Sequence, residues 1–175
     1  MNPRHFMTAL TAAAMGLIGL QVLAVSPSGA AESDSGMGSY CTIAGSIAPN
    51  PGISNEAKAT TYQLNGTMDC TSEELSHATV TGTGTGTTGC FGGSSAAVLK
   101  IAWDNGTAST VSAQLGDFAY GTGGYGTVTE GTFKDSHVGL GWGRNAAGGE
   151  ARCASSHVKS YEFAGGVYFH THSGH

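Results

Sequence analysis

The residues best able to do chemistry by type and spacing stand at the C-terminus, in Val167-Tyr168-Phe169-His170-Thr171-His172-Ser173-Gly174-His175. On a strand, His170 and His172 point to one face, so two imidazoles could meet one metal ion, and His175 could add a third nitrogen. No carboxylate lies nearby in sequence to orient the rings, and chain ends are commonly mobile. The tail is therefore read first as a frayed terminus with neutral surface imidazoles. His170, His172 and His175 are kept as weak metal candidates, and no cofactor is expected.

Catalytic constellations are otherwise missing. Hydrolysis by a serine or cysteine nucleophile needs an oriented histidine beside it, and no GxSxG elbow is present. His77, His137 and His157 fall within strand-like segments, where a hydrogen-bonded structural role is the commoner case. Asp104, Asp117, Glu130, Asp135, Glu150 and Glu162 could supply paired carboxylates, but nothing in the sequence fixes a distance between any two. Asp104 has a turn role open to it, accepting from its own backbone two residues on. The expectation is a protein that is not an enzyme.

Binding has better material. Tyr120, Tyr125, Phe133, Trp142, Tyr161 and Tyr168 exceed what one small core must bury. The Gly-flanked rings of Gly124-Tyr125-Gly126 and Gly141-Trp142-Gly143 could lie flat and exposed on a sheet face. The polar arm over residues 32–39 is flexible by composition and could dock on a partner as an added strand or as a tail in a cleft. Glu32, Asp34, Met37, Tyr125 and Trp142 are thus the candidate partner contacts.

Strands must position these residues. Tyr62, Leu64, Gly66, Met68 and Cys70 alternate with Thr61, Gln63, Asn65, Thr67 and Asp69, the pattern of a half-buried antiparallel strand. A Thr-Gly alternation follows over 78–88, where glycine would let a ring or another backbone approach one face closely. Ala97, Leu99, Ile101 and Trp103 share a face before Asp104-Asn105-Gly106, a strong hairpin signal. Further strands are expected over 125–133, 137–142 and 157–169, and one helical turn at Ser72-Glu73-Glu74-Leu75. Seven or so strands without a sustained 3.6 period predict an all-β fold, an immunoglobulin-like antiparallel β-sandwich. Cys41, Cys70, Cys90 and Cys153 contain no CxxC pair, which favours two disulfides over a metal site. Of three possible pairings, Cys41–Cys70 with Cys90–Cys153 is favoured, since it ties the lead-in to the first strand and closes a long loop.

Residues 1–31 have the parts of a secretory signal: Arg4 and His5, an apolar run, then small residues ending at Ala30-Ala31. After cleavage the chain has six basic and twelve acidic side chains, a net charge of −6. The remaining bases are scattered, so nucleic acid is not an expected partner, and no second membrane span follows. The 29 glycines and the 11% of charged residues suit strands and turns. The expected order is signal peptide 1–31, flexible arm and lead-in 32–56, sandwich 57–169 and histidine tail 170–175.

The Tyr62-to-Cys70 strand, the Thr-Gly strand ending in Cys90, Ile-Ala-Trp-Asp-Asn-Gly-Thr-Ala-Ser-Thr-Val over 101–111 and Gly-Thr-Val-Thr-Glu-Gly-Thr-Phe over 126–133 form one pattern. It resembles the small secreted immunoglobulin-like proteins of Streptomyces and relatives, a group that includes the adaptor subunit of umbrella toxin particles. The resemblance covers roughly residues 57–153 and implies a non-enzymatic connector in a secreted antibacterial assembly. Its partners would be other secreted proteins, a lectin-bearing subunit and a larger toxin-bearing one. The competing expectations are a secreted glycan- or small-ligand-binding module and a protease inhibitor.

Overall fold

Alternation of inward apolar and outward polar side chains runs through eight segments, and each is an antiparallel strand in the computed structural model, which describes residues 38–118, 121–145 and 157–170. They are β1 (Tyr40–Asn50), β2 (Lys58–Cys70), β3 (His77–Thr88), β4 (Gly92–Trp103), β5 (Ala108–Phe118), β6 (Gly121–Gly131), β7 (His137–Asn145) and β8 (Tyr161–His170). Each strand pairs with the next in sequence. β1 then pairs with β8, from Tyr40↔Tyr168 to Ile47↔Tyr161, and the sheet closes into a barrel.

This overturns the immunoglobulin-like sandwich. A sandwich divides its strands between two sheets, each with edges. Here β1 and β8 satisfy one another's backbone groups along that seam, so among the described strands no edge is left. β1 is itself a correction. Residues 40–50 were expected as flexible arm and lead-in, yet Cys41, Ile43 and Ile47 are buried while Tyr40, Thr42 and Ser46 face outward or lie near the surface. The expected helical turn at Ser72-Glu73-Glu74-Leu75 is instead an irregular turn between β2 and β3.

An eight-stranded barrel has an interior just wide enough for side chains to fill. Ile43, Leu64, Val80, Leu99, Val111 and Phe163 fill its middle. Glycine makes room inside. A Cβ on Gly84 would lie 2.1 Å from the Tyr62 ring, and one on Gly165 would lie 2.0 Å from the Gly141 carbonyl oxygen and 2.4 Å from Trp142 Cα, on the neighbouring β7 backbone. The Thr-Gly strand thus does what its alternation implied, with threonine outside and a ring lying over glycine inside. At the lower end, where β2, β4, β6 and β8 finish, Trp103, Phe133 and Phe169 close the barrel. Phe133 and Phe169 stack at 4.9 Å, with Trp103 5.8 Å from Phe133. Trp103 Nε1 donates to Ser109 Oγ at 2.9 Å, so the indole nitrogen is satisfied. At the upper end, where β1, β3, β5 and β7 finish, Ile53 caps the core and bridges to Val158.

Cys41 and Cys70, register partners on β1 and β2, form the first expected disulfide. Two were expected, and this is the one seen with both partners among the described residues. Cys90 is not a free thiol, and Cys153 lies outside the described residues. The Cys41–Cys70 bond closes a sequence separation of 29 residues, for which the chain-entropy relation gives about 3.5 kcal/mol. Joint replacement Cys41→Ala and Cys70→Ala should lower unfolding free energy by about that much in urea titration. A change below about 1 kcal/mol would show that the β1–β2 ladder already constrains the unfolded chain.

Candidate functional site

Two places in the barrel depart from simple core filling. The first lies inside, at the upper end. The alternation of β5 and β7 turns Asp117 and Arg144 inward, although both are charged. Arg144 Nη2 stands 2.8 Å from Asp117 Oδ1, with their side chains only 10% and 8% exposed. The approach is ionic rather than a well-aligned hydrogen bond, since Nη2 and Nε lack a hydrogen-bond partner of good geometry. Thr122, opposite Asp117 in the β5–β6 register, donates its hydroxyl to the same Oδ1 at 2.7 Å. The Arg144 guanidinium carbon lies 5.5 Å from the Tyr161 ring centre, within cation–π reach. Tyr62 and Ser95 share a buried hydroxyl bond of 3.0 Å.

Burial dominates the acidity of both tyrosines. It pushes the Tyr161 hydroxyl up to about 12, with the nearby Arg144 charge pulling the other way. It raises Tyr62 as well, opposed by the bond to Ser95. Between these groups lies a cavity of about 10 Å³ lined by Tyr62, Thr88, Ser95, Asp117, Trp142 and other residues. That is room for about one water molecule. Trp142 Nε1 and Thr88 Oγ1 are buried there without a partner among the described residues. The space does not admit a small organic ligand, so the polar cluster acts as a structural plug.

The second place is outside. Gly116, Gly123, Gly141 and Gly166 stand side by side across β5, β6, β7 and β8. The next outward row reads Gln114, Tyr125, Gly139, Tyr168 and, on β1, Tyr40. The result is a glycine floor about 14 Å across at ordinary strand spacing, with tyrosines along one side. Phe118, 60% exposed, stands beside Gly123. No charged side chain occupies either row.

The glycines of this floor differ in kind. Tyr40 leans over Gly166, so a Cβ there would meet the ring hydroxyl at 2.8 Å. Among the described residues a Cβ at Gly139 or Gly141 would meet nothing within 4 Å, and neither residue has the positive φ that glycine readily permits. The barrel's own packing gives these two positions no reason to lack a side chain. Glycine within a strand is costly, and close approach by a ligand or another backbone is one reason it occurs there.

The expected contacts divide. Tyr125 is 73% exposed and forms part of the outer face. Trp142, also expected on the surface, is a correction. At 4% exposure it points into the barrel and packs 5.2 Å from Phe163, because β7 alternation turns even-numbered residues inward. Glu32, Asp34 and Met37 lie outside the described residues, as do His172, His175 and Tyr120. His170 ends β8 and faces outward. Phe133 and Tyr161 belong to the interior, while Tyr168 joins the outer face. His77 pairs through Nδ1 with Asp69 on the surface, but Ser76 donates to Asp104 instead, so no Ser-His relay forms there. Sequence reasoning missed Asp117 and Arg144 as a pair, and Phe118 and Tyr40 as surface rings. The alternation of β5 and β7 carried the signal for the pair, since it places both charges on inward positions.

The chain matches no protein-family model, no curated protein and no solved structure.

Removing one partner of a buried ion pair leaves the other uncompensated, so Arg144→Met alone should cost about 3–5 kcal/mol. The joint change Asp117→Leu and Arg144→Met should recover most of that loss, and chemical denaturation of the three variants separates the cases. The tyrosines give a second test. Tyr161 in the folded state titrates near 12, above its value of 10.0 in an unperturbed chain. The folded state keeps this proton while the unfolded chain loses it. Stability is therefore full below pH 10 and falls as the pH rises towards 12. Tyr161→Phe should flatten that decline in alkaline denaturation curves; an unchanged slope would remove Tyr161 as its source.

Proposed function

We propose that this chain is a secreted, non-enzymatic binding protein that docks an extracellular protein partner on the glycine-floored outer face of β5–β8. The single observation that carries the reading is the pair Gly139 and Gly141, outward, unstrained and facing open space. A partner backbone can approach such a surface more closely than any side-chain-bearing sheet allows. Tyr125, Tyr168, Tyr40 and Phe118 around it are the amphipathic, rigid rings that protein interfaces favour, and the lack of charge lowers the desolvation cost of docking. Among the described residues side chains fill the barrel's middle, which supports recognition on the outside.

Secretion rests on the signal-like residues 1–31, and the larger toxin and lectin subunits implied by the resemblance are partners of the right class. That resemblance no longer draws strength from a shared sandwich. A second reading is a neutral polysaccharide partner. It is favoured by the exposed Tyr125 ring beside an uncharged floor, where a sugar ring could lie flat.

Capture of proteins from culture supernatant by the tagged chain, identified by mass spectrometry, tests the first reading. Gly141→Lys should abolish capture and Tyr125→Ser should weaken it at least about tenfold, roughly 1.4 kcal/mol, with thermal stability unchanged. Equal capture by both variants would rule out this face. Retention on an insoluble neutral glycan, lost in the same variants, would favour the second reading over the first.

A further inference from the structure

The outer face continues one row towards the lower end, where the register sets His137 of β7 directly opposite His170 of β8. Both side chains point outward and are exposed. The sequence places these histidines 33 positions apart, and the antiparallel register of β7 on β8 makes them neighbours. Directly opposed residues on antiparallel strands hold their Cβ atoms about 4.5–5.5 Å apart. Two imidazole nitrogens bound to one ion at about 2.0–2.1 Å must come within roughly 3.3 Å of each other, a span that two histidines can close from such a Cβ spacing by rotating χ1 and χ2. The strand backbones fix both Cβ atoms, so little order is lost on binding.

We propose that His137 and His170 form a surface site for a divalent transition ion of the imidazole-preferring class, Cu²⁺ or Zn²⁺. The site is independent of the docking reading. Among the described residues no group of three His, Cys, Asp or Glu stands close enough to hold a metal, so the pair supplies two ligands and water fills further positions. The Tyr168 ring, 6.1 Å from that of His170, walls one side. In this arrangement the tail alone is not the site, because the first nitrogen comes from β7.

The test is titration of the full secreted chain with Cu²⁺ and with Zn²⁺, followed by calorimetry and, for copper, by its visible absorption. One ion per chain is expected. His137→Gln and His170→Gln should each weaken binding by at least about tenfold, since loss of even an outer partner commonly does so. His172→Gln with His175→Gln should weaken it less than His137→Gln does. Both barrel positions are exposed, so circular dichroism should show folded variants. The proposal is overturned if His137→Gln binds as tightly as the unaltered chain, if the tail variant loses more affinity than His137→Gln, or if neither ion binds at submillimolar concentration.

Discussion

The ladder between β1 and β8 is the contact on which the rest of the molecule depends. It joins the first and last strands, from Tyr40↔Tyr168 to Ile47↔Tyr161, and converts a meander of hairpins into a closed sheet. Without it both terminal strands would present unpaired backbone groups and the interior would open along one side. Closure also sets the width of the interior, and that width decides which side chains fit. The core, the plug at the upper end and the aromatic lid at the lower end are all responses to that one dimension.

Glycine serves this closure in two opposite ways. Inside, Gly84 gives space to the Tyr62 ring and Gly165 to the β7 backbone at Gly141 and Trp142. Outside, Gly139 and Gly141 yield space to nothing among the described residues. The same residue type is therefore a packing device on one face and an open floor on the other, and only the direction of Cα–Cβ separates the roles. The charged pair Asp117–Arg144 follows a similar logic. Two inward positions near the mouth cannot be solvated fully, so each charge is held by the other and by Thr122 and the Tyr161 ring. Among the described residues, the space beside this pair has room for about one water molecule.

The strands were largely legible in the chain. The period of two in Tyr62 to Cys70 and in the Thr-Gly run places the inward and outward faces correctly, and the Asn105-Gly106 turn lies where the hairpin signal put it. β1 was equally legible in principle, since Cys41, Ile43 and Ile47 alternate with Tyr40, Thr42 and Ser46; the Asn50-Pro51-Gly52 turn beyond it drew the segment towards an irregular reading. Trp142 was misplaced because flanking glycines permit exposure as readily as burial, and the parity of β7 decides between them.

What the sequence determined by itself is local: an all-β chain, the faces of its strands, its tight turns and an even number of cysteines. Sandwich or barrel was not among these, because alternation is a property of each strand while closure is a property of the first strand meeting the last, more than a hundred residues away. The tertiary structure alone aligned four glycines across four strands, placed Asp117 beside Arg144 and set His137 opposite His170. Each of these juxtapositions arises from cross-strand register, which depends on how all eight strands twist and close together.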